Sequence, residues 1–325
     1  MKELVSIIVP VFNGENYIER LFNILLSQTY KNIEIIAVND GSKDNSEKIL
    51  NKLMNKDSRV KFINKETNTG VSDTKNIALD NCKGEYILFI DVDDIVSKDI
   101  VQILYENAKK YDADISSSKI EKVYDNDFEI NRSEEEIRVY NSKEAIINAL
   151  QGNDIDMFTT AKLYSKSLFE NIRFPIDMKI IEDAYISCEL ILKSQKIAHT
   201  NQVLYKYIFR ENSLMNSEFD YNNEINIVKA QLHNQRIILE RFPDLKDLTE
   251  KRLAWAYIRI YDRMILSNNV DKKLKDKTKR EILNRKNIIL KGEFFTNKRK
   301  LSIIALSISE KIYKKLIFRR GRTLF

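Results

Sequence analysis

The residues best placed for chemistry in this chain are acids. Asp91, Asp93 and Asp94 stand within four positions, and carboxylates this close repel one another unless solvent or a cation compensates them. A divalent ion would do so. Ligands that are oxygen alone favour Mg²⁺ or Mn²⁺, with nucleotide phosphates completing an octahedron. The alternative reading of the same spacing is a helix N-terminus decorated with acids that its dipole favours. Glu182-Asp183 form a second acidic pair about 90 residues on, ahead of Ile186, Leu190 and Ile191 at helical spacing, and taken alone they read best as helix N-terminal acids. Asp40 alone is as readily a helix N-cap as a ligand. Neither His199 nor His233 fits a catalytic spacing. Cys82 and Cys188 form no CxxC pair, which argues against zinc or a disulfide framework and for a reducing compartment.

The acids sit at the ends of aliphatic runs. Residues 4–9 (LVSIIV), ended by Pro10, predict a buried parallel strand, and Ile18, Leu21, Phe22 and Leu25 recur at helical spacing after Gly14. Residues 33–38, 60–63 and 86–90 predict further strands. Between them lie helices carrying Ile49, Leu50 and Leu53, then residues 71–81; residues 97–110 continue as helix and 113–117 as strand. Such alternation specifies a parallel sheet covered on both faces, with ligands at the carboxyl ends of its strands. Those ends carry Pro10 to Asn13, Asn39-Asp40 and Asp91 to Asp94. No GxGxxG and no P-loop is present. Residues 121–138, rich in charge and Asn, predict a solvated excursion or exposed hairpin. From Ser142 helical patterns dominate, including 181–193, 225–240 and 248–266.

Only 7 Gly and 3 Pro occur among 325 residues, with 43% hydrophobic and 31% charged residues, so collagen-like, linker-rich and disordered classes are excluded. No apolar run is long enough to span a membrane, and the chain opens on a strand-like segment, so a cytoplasmic protein without a signal peptide is expected. The net charge of +6 divides unevenly. Residues 271–325 hold 18 Lys+Arg against 5 Asp+Glu, which leaves the rest of the chain at −7. A basic end on an acidic body calls for an anionic partner, either membrane lipid or nucleic acid. Leu301, Ile304, Ala305, Ile308, Ile312 and Leu316 share a helical face near Lys311, Lys314 and Lys315, with Arg319, Arg320 and Arg322 following. That segment can lie in the headgroup region of an anionic bilayer or pack on the protein's own core. Nucleic-acid binding is not expected, because aromatic platforms are missing.

VSIIVPVFNGENYIERLFNILLSQTYKNIEIIAVNDGSKDNS and NTGVSDTKNIALDNCKGEYILFIDVDD resemble the nucleotide-sugar-binding half of family 2 glycosyltransferases of the GT-A fold. TAKLYSKSLFENIRFP, IEDAYISCELILKSQKIAHTN and LYKYIFRENS resemble the acceptor-side half of bacterial polysaccharide-assembly members. The resemblance implies an α/β, Rossmann-like and mostly parallel donor half over residues 1–118, an acceptor-side half over 119–220, and a helical region with a basic amphipathic tail over 221–325. It further implies that Pro10, Phe12 and Glu15 meet the nucleoside, Asp40 the uracil edge and Asp91 the ribose side. Asp93 would hold a metal bridging the diphosphate, with Asp94 assisting or capping the next helix. Asp183 would be the general base. Lys75 stands where the family often has Arg and would contact phosphate or base, and Arg210, near Ser213, would lie by the diphosphate.

The implied activity is metal-dependent (Mn²⁺ or Mg²⁺), inverting transfer of a hexosyl or N-acetylhexosaminyl group from a UDP-sugar to a hydroxyl of a growing, lipid-linked bacterial surface glycan. The implied site of action is the inner face of the cell membrane, with peripheral contact through the basic tail and scope for a homo-oligomer. A protein acceptor, or a non-catalytic nucleotide-sugar module, are the alternatives. Two departures bear on the pocket: Thr160 stands where the family commonly has Trp, and Val92 replaces a small polar residue between the aspartates.

Overall fold

The computed structural model describes residues 2–124, 130, 134–209, 219–267 and 270–318, so Arg210, Ser213, Arg319, Arg320 and Arg322 lie outside the described residues. The chain divides into two compact units, Met1–Asn216 and Ser217–Phe325.

The first unit is an α/β sheet layered with helices. Strands β1 (Val5–Val11), β2 (Ile33–Asn39), β3 (Val60–Asn64) and β4 (Tyr86–Phe89) alternate with helices α1 (Ile18–Leu26), α2 (Ser46–Lys56) and α3 (Val71–Asn81). There follow β5 (Ile95–Val96), α4 (Ile100–Tyr111), β6 (Ile115–Val123), β7 (Ile137–Asn141), α5 (Ser142–Gln151), β8 (Lys162–Ser165), α6 (Glu182–Lys193) and β9 (Lys196–Ile208). The sheet order is β3-β2-β1-β4-β8-β6-β9-β5, with β7 also on β9. β1 to β4 are mutually parallel, as the alternation predicts, while β8 runs antiparallel to both β4 and β6.

The helical stripe on α1 is what fixes it to the sheet. Ile18, Leu21, Phe22 and Leu25 are completely buried, each contributing about 1.5–3 kcal/mol by leaving water. Gly41 closes the turn after β2: its φ is +66°, and a Cβ there would meet the backbone nitrogen of Asn68 at 2.7 Å. Only glycine lets those two loops touch.

Three expectations change. Pro10 does not end β1 but lies within it, because β4 reaches only to Phe89, opposite Ile8, and no ladder partner needs the missing N–H. Residues 121–123 are not an excursion but the end of β6, paired with Lys206 to Ile208 of β9. The segment after Ser142 is less helical than its pattern, since β9 is a thirteen-residue strand whose buried residues include His199, Gln202 and Lys206. Polar residues facing inward conceal a strand from a hydrophobic count.

His199 yields a stability prediction. Its Nδ1 lies 2.9 Å from Ser117 Oγ, and burial brings the imidazole down to about 4 against the pull of Asp154 and Asp156 and with the push of Lys162 and Arg138. The unfolded chain, titrating near 6.5, takes up this proton first, so stability present above that pH is lost as the pH falls toward 4. The expected loss is about 3 kcal/mol. Urea unfolding midpoints at about pH 7 and pH 4.5 should show this increment in the native chain and lose it in His199→Gln.

The second unit is helical, with α7 (Tyr221–Arg241), α8 (Lys246–Leu266), α9 (Lys272–Asn284), α10 (Lys286–Leu290), α11 (Asn297–Ile308) and α12 (Glu310–Phe318). Asp262 of α8 accepts from Arg299 at 2.7 Å and from the Tyr313 hydroxyl, tying α11 and α12 to α8. The tail is therefore two helices, split at extended Ser309 (φ −155°), and one of its sides packs on the unit. Among the described residues no helix is long and apolar enough to cross a membrane.

Candidate active site

The carboxyl edge of β1, β2 and β4 brings the sequence-selected acids together. The β1–α1 and β2–α2 loops are stitched by side chains: the Asn13 amide donates to Ser42 Oγ (2.8 Å), Gly14 to Ser46 Oγ (2.8 Å), and Glu15 to Asp44 Oδ2 (3.0 Å). Glu15 Oε2 in turn accepts from the Asn45 amide (3.0 Å) and side chain (2.7 Å), so this carboxylate braces the rim. Phe12, just past the strand, is 50% exposed, and Pro10 is half-buried beside it.

Asp40 is held by the loop that follows β3. It is 4% exposed, accepting at Oδ1 from Lys65 Nζ (2.6 Å) and the Thr69 amide (2.9 Å), and at Oδ2 from the Gly70 amide (3.0 Å). Its carboxylate thus shapes the loop that leads into α3. Lys65, a lone lysine with no spacing signal in the sequence, also reaches Asp73 at 2.8 Å and is the hub of that loop.

The Asp91–Asp94 turn is braced from β9 and α1. Tyr205 donates its hydroxyl proton to Asp94 Oδ2 (2.7 Å) and its oxygen accepts from the Asp91 amide (3.2 Å), while the Ile208 amide donates to Asp94 Oδ1 (3.1 Å). Arg20 donates to the carbonyls of Asp93 (2.9 Å) and Asp94 (3.2 Å). Both oxygens of buried Asp94 are engaged by β9, and burial with the neighbouring Asp91 and Asp93 charges pushes its pKa up. Asp91 and Asp93 remain half-buried.

Lys75 joins the two acidic sites. The residue is 2% exposed, and its ammonium donates to Asp183 Oδ1 at 2.7 Å and Glu182 Oε1 at 3.2 Å, with the Phe174 ring 4.9 Å away. The ammonium is thus part of a buried ion cluster. Asp183 also accepts at Oδ1 from Thr159 Oγ1 (2.7 Å) and at Oδ2 from the Thr159 amide (3.4 Å). Burial would raise the Asp183 pKa, but Lys75 and Thr159 outweigh it and hold the group below the usual carboxylate range. Glu182 goes the other way, because its burial and the Asp183 charge exceed what Lys75 returns. Burial pushes Asp91 up to about 7 against the pull of Lys75, with Asp183, Asp93 and Glu182 adding to the rise. These groups therefore share one electrostatic environment.

Backbone strain sits at both segments that hold Asp183. Ile181, immediately before Glu182, has φ +67°, and Ala161, two residues after Thr159, has φ +58°. Non-glycine residues there cost roughly 1–3 kcal/mol and persist where the surroundings over-determine them, commonly at functional sites. Thr159 and Tyr205 escaped the sequence reading because a single Thr or Tyr in a strand-edge segment carries no spacing signal.

A family model described as glycosyl transferase family 2 matches residues 6–173. The chain belongs to that family. Among curated proteins, glycosyltransferase GlyA of Streptococcus pneumoniae serotype 4 is 35% identical over 218 residues, 65% of this chain but only 31% of GlyA. Glycosyltransferase GlyG of the same organism is 33% identical over 242 residues, 71% of this chain and 79% of GlyG. Among solved structures, residues 1–349 of S. aureus TarS in complex with UDP match with a TM-score of 0.69 at 20% identity, covering 99% of this chain and 92% of that one. The fold is the GT-A fold.

Proposed function

We propose that this chain is a metal-dependent, inverting hexosyl- or N-acetylhexosaminyltransferase that moves a sugar from a UDP-sugar to a hydroxyl of a growing, lipid-linked bacterial surface glycan at the inner face of the membrane. The observation that carries the reading is the single environment shared by the Asp91–Asp93 turn and an ionised Asp183 held by Lys75 and Thr159. Family membership supports sugar transfer, and TarS, a protein of like fold, binds UDP.

Among the described residues no group of three or more His, Cys, Asp or Glu is arranged to hold a metal ion unaided. The donors fit a Mg²⁺ or Mn²⁺ ion that takes one or two carboxylates and completes its shell with substrate phosphates. Asp93 would hold it, with Asp94 bracing the turn. When bound, the ion supplies charge neutralisation for the departing diphosphate. Asp91 would reach the ribose side and Phe12 and Pro10 the nucleoside, with Glu15 fixing the rim. By the family resemblance Asp40 would meet the uracil edge, and Arg210, outside the described residues, would meet the diphosphate.

Asp183 Oδ1 is filled by two donors, which leaves Oδ2 as the oxygen that takes the acceptor's proton. As that O–H bond breaks, the acceptor oxygen attacks the anomeric carbon from the face opposite the diphosphate. The bond to the phosphate oxygen breaks with its electron pair, and UDP leaves with inversion. Titration calorimetry with UDP should show affinity that rises with Mn²⁺ in the native chain. In Asp93→Ala that Mn²⁺-dependent gain should fall by roughly 10- to 100-fold, and unchanged Mn²⁺ dependence would remove Asp93 from the ion.

A further inference from the structure

The helical unit keeps a row of large apolar side chains in solvent. Leu301, Ile304 and Ile308 recur three and four residues apart on α11, one stripe of a helix, and are 61%, 38% and 75% exposed; Ile312 on α12 is 46% exposed. The fold does not need them. Ile303, Leu306, Tyr313 and Ile317 on the other side are buried, and the ties from Arg299 and Tyr313 to Asp262 already hold both helices. Lys298, Lys311 and Lys315 stand exposed around the stripe. From Asn297 to Phe318 the chain has six Lys+Arg and one acid, Glu310, which is itself paired with Lys275 at 2.5 Å.

We propose that this face docks on an anionic lipid surface, the aliphatic tips entering the acyl boundary while the ammonium groups meet lipid phosphates. An apolar stripe bordered by cations is the arrangement that binds such an interface. Charge decides against the other occupants. A second copy would set cation against cation, and a nucleic acid would leave the stripe in water. The inference deepens the lipid-linked acceptor reading and rests on it for purpose, since the enzyme must reach a substrate anchored in the bilayer.

The test is sedimentation of the full chain with vesicles of phosphatidylcholine containing phosphatidylglycerol and with phosphatidylcholine alone. Binding is expected only to the anionic vesicles, and weakening with salt. The double variant Leu301→Glu/Ile308→Glu should lower partitioning roughly tenfold or more, because two buried-on-binding aliphatic groups become charged. Lys298→Glu/Lys311→Glu should lower it by roughly tenfold at low salt. Both variants should keep the native melting temperature and Mn²⁺-dependent UDP binding, since all four side chains are exposed. Native chain left in the supernatant, variants that sediment as the native chain does, or a native dimer that the Glu variant merely dissociates would each overturn the proposal. UDP binding is read separately: loss of vesicle binding with UDP binding intact defeats the docking face alone, and the reverse defeats the transferase reading alone.

Discussion

Asp183→Asn is expected to slow sugar transfer by about 10²- to 10⁴-fold while leaving UDP affinity unchanged. The substitution keeps the shape and one acceptor oxygen but removes the charge that accepts the hydroxyl's proton. Thr159 and Lys75 would still hold the side chain in place, so binding and chemistry separate. The pH profile follows from the same contacts. Asp183 is active when ionised, and its pKa lies below the ordinary range, so this group should cause no loss of activity until the pH falls below about 4. Steady-state kinetics with UDP release as the readout check both statements. Equal kcat in the Asn variant would assign the base elsewhere.

Lys75→Met is expected to cost about 3–5 kcal/mol of stability near neutral pH, because one buried cation is removed from among Asp183, Glu182 and Asp91 while the acids stay largely shielded from water. Replacing the whole cluster with apolar groups would be a different and milder change. In the native chain the Lys75 pKa is raised although burial alone would lower it, the Asp183 and Glu182 charges prevailing; its contribution is complete below its unfolded value and lost only in strong alkali. The Asp183 pKa is depressed, so its contribution is complete above the ordinary aspartate range and lost in acid. Between about pH 5 and pH 9 neither changes. Without Lys75 the acids bind protons more readily, so the deficit should be larger at pH 8 than at pH 5 and the acid limb of activity should move upward, by roughly a unit or more. Urea midpoints at the two pH values and a kcat profile read these shifts. Lys75→Arg should restore the limb more than the stability, because the larger guanidinium must fit where 2% of the lysine is exposed. A Met variant as stable as the native chain at both pH values would contradict the account.

The first half of the sheet was legible because it is built from one rule repeated. Uninterrupted aliphatic strands such as Ile33–Asn39 and helices with one apolar stripe such as Ile18–Leu26 report burial directly. β9 was legible only as a strand near His199 and not in its length, since it buries His199, Gln202 and Lys206 among its apolar residues and so blurs the strand period. At the site, the acids could be selected from their crowding, but not the direction each one faces. Asp40 and Asp94 are held by Lys65, Thr69, Gly70, Tyr205 and Ile208, partners 25 to 114 positions distant that no local spacing announces. Lys75 shows the same limit: its partners are 107 and 108 residues away, so its pairing with carboxylates is a tertiary fact. The tail pattern marks one amphipathic helix. It missed the break at Ser309, a residue whose type does not itself stop a helix, and with it the division of the apolar positions between a buried and an exposed side.

The most direct test of the central claim is release of UDP from a panel of UDP-sugars in the presence of Mn²⁺, measured for the native chain and for Asp183→Asn and set against GDP-sugars. One UDP-sugar should be turned over by the native chain, the Asn variant should bind it without turning it over, and GDP-sugars should be inert. Turnover of a GDP-sugar instead, or a rate in Asp183→Asn equal to the native one, would contradict the account.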